Sequence, residues 1–563
     1  MAIKSTADKV ATIQQGYTLE GPTIELGAAI VDGEVHKDAP VRLPLSMMNR
    51  HGLVAGATGT GKTVTLHMMA EQLSTAGVPV FLADIKGDLS GLATAATGSE
   101  KLITRTAGIG QPWSGKTFPV EFLALGGDGT GIPVRATITS FGPVLLSRIM
   151  ELNETQESSL QLVFHFADKN QLELIDLKDL RAVIQFLTSA EGKDELEELG
   201  GLSKSTAGVI LRELITLEAQ GMEKFFGEPE FDTAELLRTA PDGRGVITCL
   251  ELPTLQTKPM LFSTFLMWLL ADLFEDLPEA GDLDKPKLVF FLDEAHLLFN
   301  GASKAFLAAI TTTVRLIRSK GVGIFFVTQT PKDVPADVLG QLANRVQHAL
   351  RAYTPEDAKA LKATVSTFPV SDYDLAETLT SAGIGEAVVT VMNENGAPTP
   401  VALTRLRAPE SVMGPSADAL IASTVAGSAL LAKYGTAVDN VSAYEKISGK
   451  ASPDTGPAAP APAGGATTDV DAEARRIEEE ILGRPSSRPA AAPEPREPRE
   501  SPRESPRQSQ RSPAADGGSA GGLSGVLGGA LGGGLKSMAR SLGTQLGREL
   551  LRGVFGTAPK RRR

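Results

Sequence analysis

Short continuous apolar runs alternate with longer amphipathic segments through the first 430 residues. The apolar runs are typical of strands covered on both faces, and they predict strands at Gly52–Gly56, Val78–Asp84, Gly245–Leu252, Lys287–Asp293, Val322–Thr328 and Arg345–Leu350. The intervening segments predict helices at Lys62–Thr75, Pro259–Phe274, Lys304–Ser319 and Pro355–Lys362. This alternation predicts an α/β fold with a mainly parallel sheet and helices on both faces.

The remaining chain divides by composition. Residues 1–45 are short and β-rich, residues 46–430 form the main domain, and residues 140–240 are expected to be a helical insertion. Residues 451–520 are rich in Pro, Ala, Arg and Glu, which predicts a disordered linker. Residues 521–563 begin Gly-rich and continue as a basic amphipathic helix, which could dock on the protein itself or a neighbouring subunit, or contact nucleic acid or an anionic membrane surface.

Composition and charge narrow the function classes. The single cysteine, Cys249, excludes a disulfide framework, and the scattered placement of the six histidines argues against a zinc enzyme. No secretory signal and no membrane-spanning stretch is found, so a cytoplasmic protein without an integral membrane segment is expected. The net charge is −16 before residue 451 and +4 after it. Because the body is acidic, any DNA contact is expected to be confined to a local basic surface or pore.

The strongest motif is Gly56-Ala-Thr-Gly-Thr-Gly-Lys62-Thr63, which satisfies G-x-x-x-x-G-K-[ST] between a predicted strand and a predicted helix. Backbone N–H groups of such a loop and the helix N-terminus bind phosphates. Lys62 would reach the β- and γ-phosphates, and Thr63 would ligate Mg²⁺. The predicted ligand is ATP with Mg²⁺, held by Gly56, Ala57, Thr58, Gly59, Thr60, Gly61, Lys62, Thr63 and Val64.

A second motif is a run of five apolar residues that ends in Asp293 and Glu294. Asp293 would hold the magnesium ion, directly or through water. Glu294, one residue later, would polarise the attacking water as a general base. The pair therefore predicts hydrolysis of the bound nucleotide.

Weaker candidates end neighbouring strands. Gln329, or Thr328 before it, could sense the γ-phosphate or orient water. Asp84 ends the second strand and should point toward the nucleotide edge, although a plain Asp/Gly turn explains it equally well. Arg315 and Arg318 are candidates for an arginine that acts on the nucleotide of a neighbouring subunit, and the spacing does not choose between them.

Taken together, these motifs resemble those of the HerA/FtsK superfamily of P-loop ATPases, and specifically the bacterial HerA-like proteins of the YjgR type. The resemblance covers most of residues 15–430 plus the C-terminal tail, and it is carried by Asn49–Thr63, Asp84–Gly91, Phe290–Phe299, Arg315–Pro335 and Asn344–Ala352. It implies a RecA-like core and a homo-oligomer, usually a hexameric ring, with ATP at subunit interfaces. It also implies a sensor role for Gln329, a trans-acting arginine at Arg315 or Arg318, and a second-strand acidic motif at Asp84 and Asp88.

Two functions follow, and a third is weaker. The first is a ring-forming ATPase that moves along or remodels double-stranded DNA. The second is a P-loop ATPase that acts on a protein partner through the C-terminal basic helix, which the acidic body favours. The third is a nucleotide-gated scaffold at a membrane surface. A GTPase is disfavoured because Thr330-Pro-Lys-Asp333 lacks the asparagine of the N-K-x-D motif.

Overall fold

The computed structural model describes residues 5–126, 129–198, 200–252, 259–300, 302 and 304–449. The linker predicted at residues 451–520 and the basic helix predicted at residues 521–563 lie outside the described residues. Within the described part, no helix combines the length and apolar character needed to cross a membrane.

The described strands join one twelve-stranded sheet. They are β1 (Thr23–Val31), β2 (Glu34–Pro44), β3 (Gly52–Ala55), β4 (Val80–Asp84), β5 (Val120–Leu125), β6 (Ile132–Val134), β7 (Ile247–Glu251), β8 (Leu288–Leu292), β9 (Val322–Thr328), β10 (Asn344–His348), β11 (Glu386–Thr390) and β12 (Ala402–Leu406).

The helices flank this sheet and connect its strands. They are α1 (Thr6–Gly16), α2 (Lys62–Thr75), α3 (Glu100–Gly108), α4 (Ile138–Phe141), α5 (Pro143–Ile149), α6 (Glu154–Lys169), α7 (Leu177–Thr188), α8 (Lys193–Glu198), α9 (Lys204–Ala219), α10 (Pro259–Asp276), α11 (His296–Phe299), α12 (Lys304–Ile317), α13 (Ala336–Leu339), α14 (Pro355–Val365), α15 (Leu375–Ser381), α16 (Asp418–Gly427), α17 (Ala429–Tyr434) and α18 (Ala443–Ile447).

The strand order is β2-β1-β12-β11-β10-β3-β9-β8-β4-β7-β5-β6. From β10 to β6 neighbouring strands are parallel, whereas β11, β12, β1 and β2 form an antiparallel flank. The predicted α/β fold with a mainly parallel sheet is confirmed. The sequence prediction did not include β11 and β12, which complete the antiparallel flank with β1 and β2.

The sheet is buried on both faces because its central strands are apolar throughout. Every residue of β8 and β9 is buried. Alternate residues of β4 belong to different cores: Phe81 packs with the insertion and α10, while Leu82 packs with α2. Because both faces of the sheet are covered, the positions of the strand ends are fixed. The loops of the candidate site begin at those ends.

The first 45 residues contain more than strands. Ser5 caps α1 through a reciprocal bond with Asp8, and the hairpin of β1 and β2 follows. Gly27 of β1 pairs with Leu406 of β12, so the hairpin extends the main sheet. Residues 140–240 contain the second half of α4 and all of α5 to α9. Their apolar residues join the same core as Phe81 and Phe290 of the sheet.

Candidate nucleotide-binding site

The glycine-rich loop leaves the sheet at the carboxyl end of β3, between β9 and β10. The Gly56 N–H donates to the Thr328 carbonyl oxygen at 3.2 Å, and the Ala57 N–H donates to the Ala349 carbonyl oxygen at 2.9 Å. The Gly385 N–H, just before β11, donates to the Thr60 carbonyl oxygen at 3.2 Å. The loop is therefore fixed by both neighbouring strands and by the antiparallel flank.

Two glycines show why the loop needs residues without a side chain. A Cβ on Gly56 would lie 2.4 Å from the Cβ of His348, which is closer than such atoms approach. Gly61 has a φ of 114° and directly precedes α2, so an L side chain there would be strained. The loop can consequently approach a phosphate with its backbone, next to the N-terminus of α2.

Lys62 is half-buried and folds back over the loop. Its Nζ donates to the Gly56 carbonyl oxygen at 2.9 Å and to the Ala57 carbonyl oxygen at 3.4 Å. Burial lowers the pKa of this ammonium group, against the opposing effect of Glu294 and Asp293. A cation held over a cradle of N–H groups is the arrangement that binds a polyphosphate.

His348 is a residue of this site that the sequence did not identify. It ends β10, is fully buried, and its Nε2 lies 2.9 Å from Oγ1 of Thr65 in α2. Burial lowers the pKa of His348 to about 4, so the ring is neutral at physiological pH. The ring therefore supports the glycine-rich loop from beneath. In the sequence His348 lies inside the strand predicted at Arg345–Leu350, where nothing marks it as part of a nucleotide site.

Asp293 follows β8 and is 4% exposed. Its Oδ1 accepts a hydrogen bond from the Glu294 N–H at 2.8 Å, which is its one hydrogen bond within the described part of the chain. Burial raises the pKa of Asp293 to about 6. Its second oxygen is thus left for a ligand, and a bound cation would favour the charged form.

Glu294 lies next to Asp293 with a φ of 48°, in the left-handed region that non-glycine residues rarely adopt. Its Oε1 pairs with Nζ of Lys86, and its Oε2 accepts a hydrogen bond from Nε2 of Gln329 at 2.5 Å. Nδ1 of His296 lies 3.2 Å from Oε2 without making a hydrogen bond. Glu294 and Gln329, predicted from separate strands, are therefore brought into direct contact.

Asp84 has a different environment at the end of β4. Its Oδ1 accepts the N–H groups of Gly87 at 2.7 Å and Asp88 at 3.2 Å, and its Oδ2 accepts the N–H of Leu89 at 2.9 Å. Burial raises the pKa of Asp84 to about 6. Both carboxylate oxygens thus hold the turn that carries Lys86, which agrees with the Asp/Gly-turn alternative.

Arg315 and Arg318 lie away from the glycine-rich loop of their own chain. The Val314 carbonyl oxygen lies 2.6 Å from Nε2 of His51, and the Arg318 carbonyl oxygen lies 3.5 Å from Nδ2 of Asn49. Both contacts are at the amino end of β3, because α12 runs back across the sheet. The two arginine side chains are exposed at that edge. The structure therefore does not bring them together with the glycine-rich loop of their own chain.

The residues at the loop fit a magnesium nucleotide. No cluster of three or more His, Cys, Asp or Glu side chains suited to a metal occurs among the described residues. Mg²⁺ is usually bound by one or two protein oxygens together with substrate phosphates and water. The Thr63 hydroxyl makes no hydrogen bond within the described ranges, and Asp293 has an oxygen left for a ligand. This donor set suits a cation that arrives with the nucleotide.

Comparison with known proteins supports a family assignment. The DNA double-strand break repair helicase HerA of Saccharolobus solfataricus is 22% identical over 364 residues, which cover 63% of this chain and 64% of the relative. The bacterial conjugative coupling protein TrwB is 15% identical with a TM-score of 0.46 and coverage of 72% of this chain and 95% of that chain. VirB4 of Thermoanaerobacter pseudethanolicus is 14% identical with a TM-score of 0.43 and coverage of 71% and 99%. The family described as "Helicase HerA-like C-terminal" matches residues 30–563, and the chain belongs to this family.

Proposed function

We propose that this protein is a Mg²⁺-dependent ATPase whose hydrolysis drives a ring-forming motor on double-stranded DNA. The observation that carries the ATPase is the convergence of the glycine-rich loop, Asp293, Glu294 and Gln329 at one edge of the sheet. Membership of the HerA-like family supports the motor, and the relative's printed name supports DNA as its track.

Each residue has a defined task in this proposal. The backbone of Gly56 to Val64 cradles the phosphates, and the Lys62 ammonium leaves its loop carbonyls to neutralise the β- and γ-phosphates. Thr63 and Asp293 hold the magnesium ion, which when bound stabilises charge that develops on the phosphate oxygens. Glu294 accepts a proton from the attacking water, and the Gln329 amide orients either that water or the carboxylate.

Two further assignments depend on the ring. Arg315 or Arg318 contacts the γ-phosphate of a neighbouring subunit, since both lie at the amino edge of their own sheet. Asp84 acts indirectly, because its hydrogen bonds shape the loop that places Lys86 beside Glu294. In a ring, the amino edge of one subunit's sheet would face the nucleotide site of the next subunit across each interface.

The test is steady-state ATP hydrolysis by the full chain, with and without linear double-stranded DNA, using Glu294→Gln as the blank. DNA should stimulate hydrolysis several-fold, and the stimulation should disappear as salt is raised, because phosphate contacts release counterions. Size-exclusion chromatography with light scattering, with and without nucleotide, tests the ring. Hydrolysis that DNA does not stimulate at any salt concentration would contradict the proposal that the motor acts on DNA.

One observation favours a second candidate, a P-loop ATPase that acts on a protein partner. The chain before residue 451 carries a net charge of −16, which repels the DNA backbone outside any local basic surface. Robust hydrolysis without DNA stimulation would support this candidate. Removal of residues 521–563 then separates the two, because partner capture through the basic helix needs those residues, whereas a pore-based DNA activity does not.

A further inference from the structure

Lys86 is a cation at this site that the scheme above leaves without a catalytic task. It lies on the turn after β4, and its Nζ pairs with Oε1 of Glu294. The Glu294 side chain is 9% exposed, whereas the Lys86 side chain is 47% exposed. Lys86 is therefore free to swing away from its partner, while Glu294 is held in place.

In the described arrangement both carboxylate oxygens of Glu294 already have a partner. Lys86 occupies Oε1, and the Gln329 amide occupies Oε2 at 2.5 Å. Departure of Lys86 would leave Oε1 open to a water molecule, whereas the Gln329 amide can stay on Oε2.

The turn that carries Lys86 is fixed next to the residues of the proposed nucleotide site. Asp84 accepts three N–H groups from residues 87–89, which fixes the backbone directly after Lys86. Lys62 of the phosphate-binding loop experiences the charges of Glu294, Asp293 and Lys86, so these four groups share one electrostatic neighbourhood. A lysine has a flexible four-carbon stem, so its ammonium can exchange one anionic partner for another within that space.

We propose that the Lys86 ammonium exchanges Glu294 for the terminal phosphate of ATP and thereby frees Glu294 to accept a proton from water. This inference rests on the proposed ATPase function. ATP presents a γ-phosphate and draws Lys86 away, whereas ADP lacks that group and leaves Lys86 on Glu294. Lys86 thus couples the presence of the γ-phosphate to the activity of the base, and the step makes and breaks no covalent bond.

The test is a double-mutant cycle on nucleotide affinity, which needs no turnover. Binding of a non-hydrolysable ATP analogue and of ADP is measured with the full-length wild type, Lys86→Met, Glu294→Gln and the double variant. Lys86→Met should weaken binding of the analogue by about tenfold, as expected for the loss of a charge-assisted contact, and change ADP binding by less than about twofold. Glu294→Gln should tighten analogue binding by about threefold, and that gain should vanish in the double variant.

Matched variants keep the result specific. Lys332→Met removes an exposed lysine that follows β9 and that is not one of the described partners of Glu294, and it should leave the preference for the analogue over ADP unchanged. Lys86→Arg retains the cation and should retain most of that preference. If Lys86→Met fails to fold in a thermal unfolding check, the effect of Glu294→Gln on analogue binding still tests the partner exchange.

Three outcomes separate failure of this inference from failure of the ATPase itself. Equal weakening of the analogue and ADP by Lys86→Met, or no weakening of either, overturns the partner exchange. Absence of tightening in Glu294→Gln also overturns it. If Lys62→Ala binds the analogue as well as the wild type does, the proposed nucleotide site itself is wrong.

Discussion

Asp84 and Asp293 stand at the ends of two neighbouring parallel strands, and their surroundings differ in one respect. Both are buried, and burial raises the pKa of each to about 6. Asp84 accepts three backbone N–H groups with its two oxygens, whereas Asp293 accepts a single one. Asp84 uses both carboxylate oxygens to hold its own turn, so its role is structural. Asp293 keeps one oxygen without a hydrogen bond to any described residue, so it can bind a ligand.

The largest expected effect comes from removing the charge at each position in turn. Asp293→Asn should slow ATP hydrolysis by about 1000-fold or more, because the cation stabilises the transition state by several kcal/mol. Asp84→Asn should slow it by less than about tenfold, because Oδ1 can still accept the N–H groups of Gly87 and Asp88 and only the acceptor of the Leu89 N–H is lost. Steady-state hydrolysis at saturating Mg²⁺ and ATP checks this pair, and equal losses in both variants would remove the distinction.

The next effect is on stability and depends on pH. The pKa of Asp84 is raised in the folded protein from 3.8 to about 6, so its stabilising contribution is fully present below pH 3.8 and is lost as the pH rises through 6. Relative to Asp84→Asn, the wild type should therefore lose at most about 3 kcal/mol of unfolding free energy between pH 4 and pH 7. Denaturant unfolding of both proteins across this range measures the difference. A constant difference would contradict the buried, protonatable state of Asp84.

The smallest effect concerns magnesium and nucleotide affinity. Wild type should bind ATP about tenfold more tightly with Mg²⁺ than with EDTA, since a single good contact to the cation corresponds to about 1.4 kcal/mol. Asp293→Asn should lose this enhancement, and Asp84→Asn should keep it. Titration of a fluorescent ATP analogue in both buffers provides the measurement. An enhancement that survives in Asp293→Asn would mean that the cation is held elsewhere.

The sequence predicted the central strands and the phosphate-binding loop because their signals are local. Helix α2 begins at Lys62 and ends at Thr75 as expected, and β9 has the predicted bounds. A continuous apolar run predicts a buried strand, and a row of glycines before a lysine predicts a phosphate-binding loop. Both patterns can be recognised without information from elsewhere in the chain. The missed strands β11 and β12 pair with β10 and β1, which lie far from them in the chain, so their place in the sheet depends on non-local contacts.

The contrast between the two aspartates could not be predicted from the sequence. Each follows an apolar run, and only the backbone path of the next residues decides whether N–H groups turn back onto the carboxylate. The contact of Lys86 with Glu294 spans 208 positions in the chain and likewise depends on the packing of β4 beside β8. The tasks assigned to Arg315 and Arg318 depend on a neighbouring chain and stay predictions.

The most direct test of the hydrolytic site is Mg²⁺·ATP binding and turnover measured on the same samples of wild type and Glu294→Gln. The variant should bind ATP within about threefold of the wild type and hydrolyse it at least about 100-fold more slowly, as loss of a general base implies. Wild-type turnover by Glu294→Gln would contradict the assignment of Glu294 and the account of hydrolysis built on it.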